Sequence, residues 1–184
     1  MDNGASSYRR FLDGDESGFA EIVEMYGYNL IFFINGFVGN ISVAEDLMED
    51  AFCELVYHKR RFKGNSTFKT YLFSIARHKA VDYINKKSRI PSLPLENAEL
   101  HIGELNQLES KVIKDENKML INKALAKINS DYRTILHLLY FEDSTYEQAA
   151  LILNKNNKQI KNLAYRAKQA LRVAIEKEGF IYEE

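Results

Sequence analysis

Cysteine occurs once in the 184 residues, at Cys53. That excludes an intrachain disulfide and any cysteine-rich zinc site, and it suits a reducing compartment, so a cytoplasmic location is expected. Proline is nearly as scarce: Pro91 and Pro94 are the only two, and tryptophan is absent. The longest strongly apolar run, residues 30–34, is far too short to cross a bilayer. The opening Met-Asp-Asn-Gly has no basic segment leading into an apolar stretch, so neither a secretory leader nor membrane insertion is expected. The four histidines (His58, His78, His101, His137) show no metal-ligand spacing among themselves. No glycine-rich phosphate loop, nucleophile elbow or Walker pattern occurs. No metal, cofactor or catalytic group is therefore expected, and an enzyme on this chain is disfavoured.

What is present is an ordinary globular composition, 46% hydrophobic and 28% charged. It suffices for one large core or two modest ones. The formal net charge is −1, but it is unevenly distributed. Residues 1–57 carry 2 basic and 11 acidic groups, whereas residues 58–89 carry 10 basic groups and only Asp82 as an acid. A second basic block, residues 154–177, has 7 basic groups against Glu176. Two basic blocks on an acidic chain indicate two surfaces for polyanions, the plainer alternative being two solvated helix faces.

Apolar residues recur at three- and four-residue steps almost throughout, and no run alternates with period two for long. The expected fold is therefore all-α. Phe19, Ile22, Val23, Tyr26, Leu30, Phe33, Ile34 and Phe37 mark one helix, expected to break at Gly36 and Gly39. Ser42-Val-Ala-Glu45 reads as a capping box ahead of the stripe Ala44, Leu47, Met48, Ala51, Phe52 and Leu55. That stripe places Cys53 on the buried-looking side. Residues 63–67 (Lys-Gly-Asn-Ser-Thr) read as a loop, and a helix from about Tyr71 runs to about Lys87. Residues 88–115 hold both prolines and read as a linker. Asn129 offers an N-cap for a following helix. Ser144-Thr-Tyr-Glu147 reads as a further capping box, and a turn at 154–156 precedes a last helix carrying Ile160, Leu163, Ala164, Ala167 and Leu171.

Three constellations follow. The last two helices, joined by a three- or four-residue turn, have the helix-turn-helix pattern, whose second helix offers polar residues to base edges. Residues 58–89 interleave basic groups with Phe62, Phe68, Tyr71, Phe73 and Tyr83, as a track for phosphates with rings for unstacked bases requires. For any single ring, a core position is the simpler reading. The helix around Glu45 to Asp50 is acidic on one side and apolar on the other, which is either a solvated face or a dock for a basic partner.

The order of these parts is specific. Ala44-Glu-Asp-Leu-Met-Glu-Asp-Ala-Phe52, then Arg61-Phe-Lys-Gly-Asn-Ser-Thr-Phe-Lys-Thr-Tyr-Leu72, then Ile75-Ala-Arg-His-Lys-Ala-Val-Asp82 resemble region two of bacterial sigma factors. Ser144-Thr-Tyr-Glu-Gln-Ala-Ala-Leu-Ile-Leu153 through Ala164-Tyr-Arg-Ala-Lys-Gln-Ala-Leu-Arg172 resembles region four. The whole resembles the extracytoplasmic-function (group four) subfamily of the sigma-70 family.

The resemblance implies two small helical domains, a region-two domain over 1–87 and a region-four domain over 116–184, joined by the linker 88–115. It implies a non-enzymatic factor that binds core RNA polymerase and directs promoter-specific initiation. Asp46, Leu47, Glu49, Asp50 and Phe52 would grip the clamp coiled coil of the beta-prime subunit. The beta flap is a further implied partner, as is an anti-sigma factor. The loop Lys63, Asn65, Ser66 and Thr67, bounded by Phe62 and Phe68, would capture a base of the minus-ten element. Tyr71, Arg77, Lys79, Tyr83, Lys86 and Lys87 would follow the melted strand and upstream duplex. Lys158, Gln159, Lys161, Asn162, Tyr165 and Arg166 would read the minus-thirty-five element. The chain departs from the usual family pattern with Tyr71 in place of tryptophan, Glu49 in place of glutamine, Asn154 in place of glycine and Leu163 in place of arginine. A helix-turn-helix regulator that acts without polymerase is the alternative; it would need neither the acidic helix nor the aromatic loop and would usually dimerise.

Overall fold

The structure is a computed structural model that describes residues 3–89 and 116–178. Among the described residues the secondary structure is entirely helical. In chain order the helices are α1 (Asn3–Leu12), α2 (Glu16–Val38), α3 (Ile41–Tyr57), α4 (Phe68–Arg89), α5 (Glu116–Lys127), α6 (Ser130–Leu136), α7 (Tyr146–Leu153) and α8 (Asn157–Lys177). A π-helical turn, His137–Phe141, continues α6. All but the first two residues of the expected linker lie outside the described residues, and α4 runs two residues past the expected boundary at 87.

Helices α1–α4 form an N-terminal bundle. Ile22, Leu30, Phe33 and Ile34 from α2 meet Leu55 of α3 and Phe68, Leu72 and Phe73 of α4, all of them fully buried. Aromatic rings dominate that core: Phe33 lies 5.0 Å from Phe73 and 5.3 Å from Phe37, centroid to centroid. α1 lies so close to α2 that a Cβ at Gly18 would collide with the Ser7 carbonyl, so only glycine fits there. The second unit is built from α5–α8. Ile135, Leu138, Ile152 and Ile160 are among its fully buried side chains.

Several local expectations are corrected. Gly36 does not break α2; it is buried inside the helix, which ends at Gly39 in the left-handed conformation (φ 65°). A Cβ at Gly36 would sit 3.4 Å from Thr134 Oγ1, so the position is also where α2 approaches α6. The N-cap of α3 is Asn40 rather than Ser42: its Oδ1 accepts from the Val43 amide at 3.0 Å. The capping box of α7 is Thr145 with Gln148, one residue later than expected, because the Ser144 amide is already committed to the Leu138 carbonyl at 2.9 Å. Cys53 is exposed, not buried. Asn129 does cap α6, accepting from the Asp131 amide at 2.7 Å.

The two units are packed together. α2 touches α6, and α4 touches α7, so the buried residues of both form one continuous cluster. The centre of the junction is polar. Glu142, 4% exposed, lies 2.6 Å through Oε2 from Lys69 Nζ at the start of α4. The same ammonium donates to the Glu142 carbonyl at 2.6 Å. His137 Nε2 lies 3.4 Å from the other carboxylate oxygen, and its ring faces Phe33 at 6.3 Å and Phe141 at 5.6 Å. Burial would raise the Glu142 carboxyl, but the adjacent His137 and Lys69 outweigh it and hold the group below the usual glutamate range.

Candidate nucleic-acid interface

The recognition surface starts from the turn between α7 and α8. Asn154 adopts the left-handed conformation (φ 51°, ψ 50°) that closes α7, a state asparagine tolerates better than most side chains. Two residues later Asn156 caps α8: its Oδ1 accepts from the Gln159 amide, and Gln159 Oε1 accepts from the Asn156 amide, both at 2.9 Å. This reciprocal box sets the helix start and aims its amide dipoles outward. Beyond it Ile160, Ala164 and Ala167 are buried, and α8 packs on α6 and α7 through that face.

All six residues expected to read duplex DNA are exposed: Lys158, Gln159, Lys161, Asn162, Tyr165 and Arg166. Lys158, Lys161, Asn162 and Tyr165 fall on one stripe at three- and four-residue spacing, with Arg166 and Gln159 on its flank. Tyr165 is 67% exposed, an unusual degree for a tyrosine. Gln159 is the qualified member, since its side-chain oxygen serves the cap while its amide nitrogen remains a donor. Lys168, one turn on, sits 5.4 Å from the Tyr140 ring centre.

The second surface is the loop before α4. Lys63, Asn65 and Thr67 are exposed and Ser66 is half-buried. Thr67 Oγ1 accepts from the Thr70 amide at 3.2 Å and shares a 2.8 Å contact with the Thr70 hydroxyl, which fixes the loop to the helix start. The rings follow the simpler of the two readings open to them, as packing residues. Phe68 is fully buried, against Tyr8 at 5.0 Å and Phe62 at 5.5 Å, and the half-buried Phe62 meets Tyr71 at 5.2 Å. Tyr8 donates from its hydroxyl to the Lys59 carbonyl at 2.6 Å, and burial pushes its phenol up to about 12. Phe68 is thus a packing residue, and the rings anchor both ends of the loop.

Along α4 the basic groups divide. Lys86 and Lys87 are exposed, while Tyr83 and Arg77 are half-buried, and Arg77 lines the cleft facing α6 and α7. Lys79 is held by Glu54 of α3, with Nζ 2.6 Å from Oε2, and that hydrogen bond keeps the Glu54 carboxyl below its usual range. On α3, Asp46, Glu49 and Asp50 are exposed, but Leu47 and Phe52 are 8% and 5% exposed and belong to the bundle core. The outward stripe continues instead through the exposed Cys53 to Tyr57, which is 83% exposed. Spacing from Asp50 by threes and fours would have found both.

Residues 22–90 match the family model for Sigma-70 region 2, and residues 118–171 match that for Sigma-70, region 4. The chain belongs to the sigma-70 family of RNA polymerase sigma factors, in its extracytoplasmic-function branch. Among relatives, the RNA polymerase sigma-H factor of Pseudomonas aeruginosa is 27% identical over 171 residues, covering 89% of each chain. The ECF RNA polymerase sigma factor SigW of Bacillus subtilis is 28% identical over 170 residues, covering 86% of this chain and 89% of the relative. The fold matches solved sigma factors. RpoE in complex with the anti-sigma factor NepR, from Bartonella quintana, aligns with a TM-score of 0.63 at 21% identity, covering 86% of this chain and 96% of that one. CnrH in complex with the cytosolic domain of CnrY aligns with a TM-score of 0.63 at 18% identity, covering 95% and 96%. This sigma factor binds core RNA polymerase and directs promoter-specific transcription initiation, and its family is non-enzymatic. No helix among the described residues is long and apolar enough to cross a membrane.

Proposed function

We propose a division of labour among the three surfaces. The outward face of α8 reads the minus-thirty-five duplex: Lys158, Lys161 and Arg166 engage phosphates or guanine, and Asn162 suits adenine. The loop Lys63, Asn65, Ser66 and Thr67 receives an unstacked minus-ten base, held in place by Phe62, Phe68 and Tyr71. Lys86 and Lys87 continue the phosphate track, joined by Tyr83, Arg77 and, once released from Glu54, Lys79. The acidic stripe Asp46, Glu49 and Asp50 docks on the beta-prime clamp, with Leu47 and Phe52 shaping the helix from beneath. The beta flap is engaged by the C-terminal unit. The functional units are 1–87 and 116–184, with 88–115 between them, and the site of action is the cytoplasm.

The observation that carries this reading is α8. Every residue assigned to the duplex is exposed, and the opposite face is the core of its own unit. The solved relatives in complexes with anti-sigma factors support a protein antagonist for this chain too. The loop assignment has its own test. Exchanging Asn65 and Ser66 for alanine is expected to change the preferred minus-ten sequence in transcription from a randomised promoter pool, while leaving affinity for polymerase unchanged. An equal fall on all promoters would reject base readout by the loop.

A further inference from the structure

Unpaired DNA is held by cations for its phosphates and by free ring faces for its bases. The rings within 58–89 do not supply such a face. Phe68 and Phe73 are fully buried, and Phe62, Tyr71 and Tyr83 are half-buried. The open ring stands one residue before the basic block. Tyr57, the last residue of α3, is 83% exposed, the most of any large apolar or aromatic side chain among the described residues.

Four basic residues follow the ring directly: His58, Lys59, Arg60 and Arg61, all exposed. Their turn is fixed by its backbone. The His58 amide donates to the Glu54 carbonyl at 3.0 Å and the Arg61 amide to the His58 carbonyl at 2.9 Å, while the Lys59 carbonyl accepts from the Tyr8 hydroxyl at 2.6 Å. Tyr8 also packs on Phe62 and Phe68, at 6.0 and 5.0 Å, so one ring cluster holds both this turn and the loop 63–67. The Lys59 ammonium is held at α1, 4.5 Å from the Phe11 ring centre. Arg60 has no side-chain partner among the described residues. Beside the ring runs an open groove lined by Asp50, Cys53, Glu54, Tyr57, His58 and Lys79. Two cations from different elements converge on its Glu54: Lys79 Nζ lies 2.6 Å from Oε2, and Arg61 Nη1 lies 3.4 Å from Oε1. A lysine and an arginine around one oxyanion is an arrangement that suits phosphate, and here a carboxylate holds that place.

We propose that the C-terminal end of α3 is a nucleotide subsite for unpaired DNA, in which a base stacks on Tyr57 and its phosphate takes Arg60, Arg61 and Lys79 in place of Glu54. The subsite adjoins the loop 63–67 and receives a neighbour of the base captured there. Stacking tolerates any base, so the subsite adds grip on the melted strand without adding to promoter choice. Asp50 also lines the groove and belongs to the acidic dock, so the strand and polymerase surfaces meet there. The inference rests on the reading of the N-terminal unit as the one that holds the minus-ten strand.

The test follows binding of the full chain to an unstructured mixed-sequence strand of roughly 20 nucleotides by fluorescence anisotropy over a range of salt, with a duplex of the same length as reference. Tyr57→Ala should weaken strand binding roughly tenfold with the salt slope unchanged, and Tyr57→Phe, which keeps the ring, should restore it. The double variant Arg60→Gln/Arg61→Gln should instead lower the slope by about 1.4, two phosphates at about 0.7 each on a single strand. Lys59→Gln, the same charge change on a residue held at α1, should leave the slope as it was. Glu54→Gln should tighten strand binding by releasing Arg61 and Lys79, whereas Glu45→Gln, on an exposed acid at the other end of α3, should not. Duplex binding, which uses α8, should not move in any of them. Tyr57→Ala binding the strand as well as Tyr57→Phe, or a double arginine variant with the wild-type slope, would overturn the subsite. So would a fall shared equally by Lys59→Gln, which would reduce the effect to net charge. Loss of core polymerase binding by Tyr57→Ala with strand binding intact would give the ring to polymerase instead. If these variants hold the strand like wild type while the Asn65 and Ser66 exchange still shifts minus-ten preference, the loop stands and the subsite alone falls. A wild-type chain that does not bind the strand would remove both.

Discussion

Replacing Phe33 with alanine is expected to destabilise the protein by about 3–5 kcal/mol, the usual range for removing a fully buried phenylalanine. The ring is wholly enclosed, with Phe37 and Phe73 at 5.3 and 5.0 Å and His137 of the second unit at 6.3 Å. No small shift of one helix can refill the space, because three elements meet there. For a chain of this size each kcal/mol moves the melting temperature by about 2–4 °C. The fall should therefore be about 6–20 °C by calorimetry or circular dichroism. An exposed aromatic provides the contrast: Tyr57→Ala should change the midpoint by little, since its ring is 83% exposed. A loss under 1 kcal/mol at Phe33 would mean that the junction is looser than the structure shows.

The second large effect lies on α8. The double variant Lys161→Ala/Arg166→Ala should lower affinity for a minus-thirty-five duplex by ten- to a hundredfold, at about 1 kcal/mol or more per contact. It should also reduce the slope of log affinity against log salt by about two if both groups neutralise phosphates. A slope reduced by one, together with relaxed sequence preference, would assign the other residue to base readout. An unchanged slope would contradict the placement of these cations on DNA. Folding should be spared, because both side chains are exposed and the helix start is fixed independently by Asn156 and Gln159.

The helices were legible because the apolar period is strong: the α8 stripe, and the α2 stripe apart from the exposed Val23, fall where the spacing places them. The recognition helix was legible for the same reason, since burying Ile160, Ala164 and Ala167 forces its polar side outward. Cap positions were less so. Ser42 and Ser144 satisfy the capping pattern as sequence, but Asn40 competes two residues earlier and the Ser144 amide is used by the π-helical turn. The Asn156-x-x-Gln159 box, by contrast, was present in the sequence and readable by the same rule. The aromatic loop shows the limit of reading composition. Phe62 and Phe68 look like stacking rings, yet a small bundle with no tryptophan recruits them, with Tyr8 and Tyr71, to pack its end. The ion pair between Lys69 and Glu142 has no local signal, because its partners are 73 residues apart and lie on separate units.

The assignment as an initiation factor depends most directly on one interaction. The purified chain, mixed with bacterial core RNA polymerase and passed over a size-exclusion column, should co-migrate with it as a one-to-one complex. Reversing the charges at Asp46 and Asp50 to lysine should disrupt that complex without unfolding the bundle, since both side chains are exposed. Failure of the wild-type chain to bind a competent core polymerase, with no antagonist present, would contradict the account and leave a helix-turn-helix protein that acts on DNA alone.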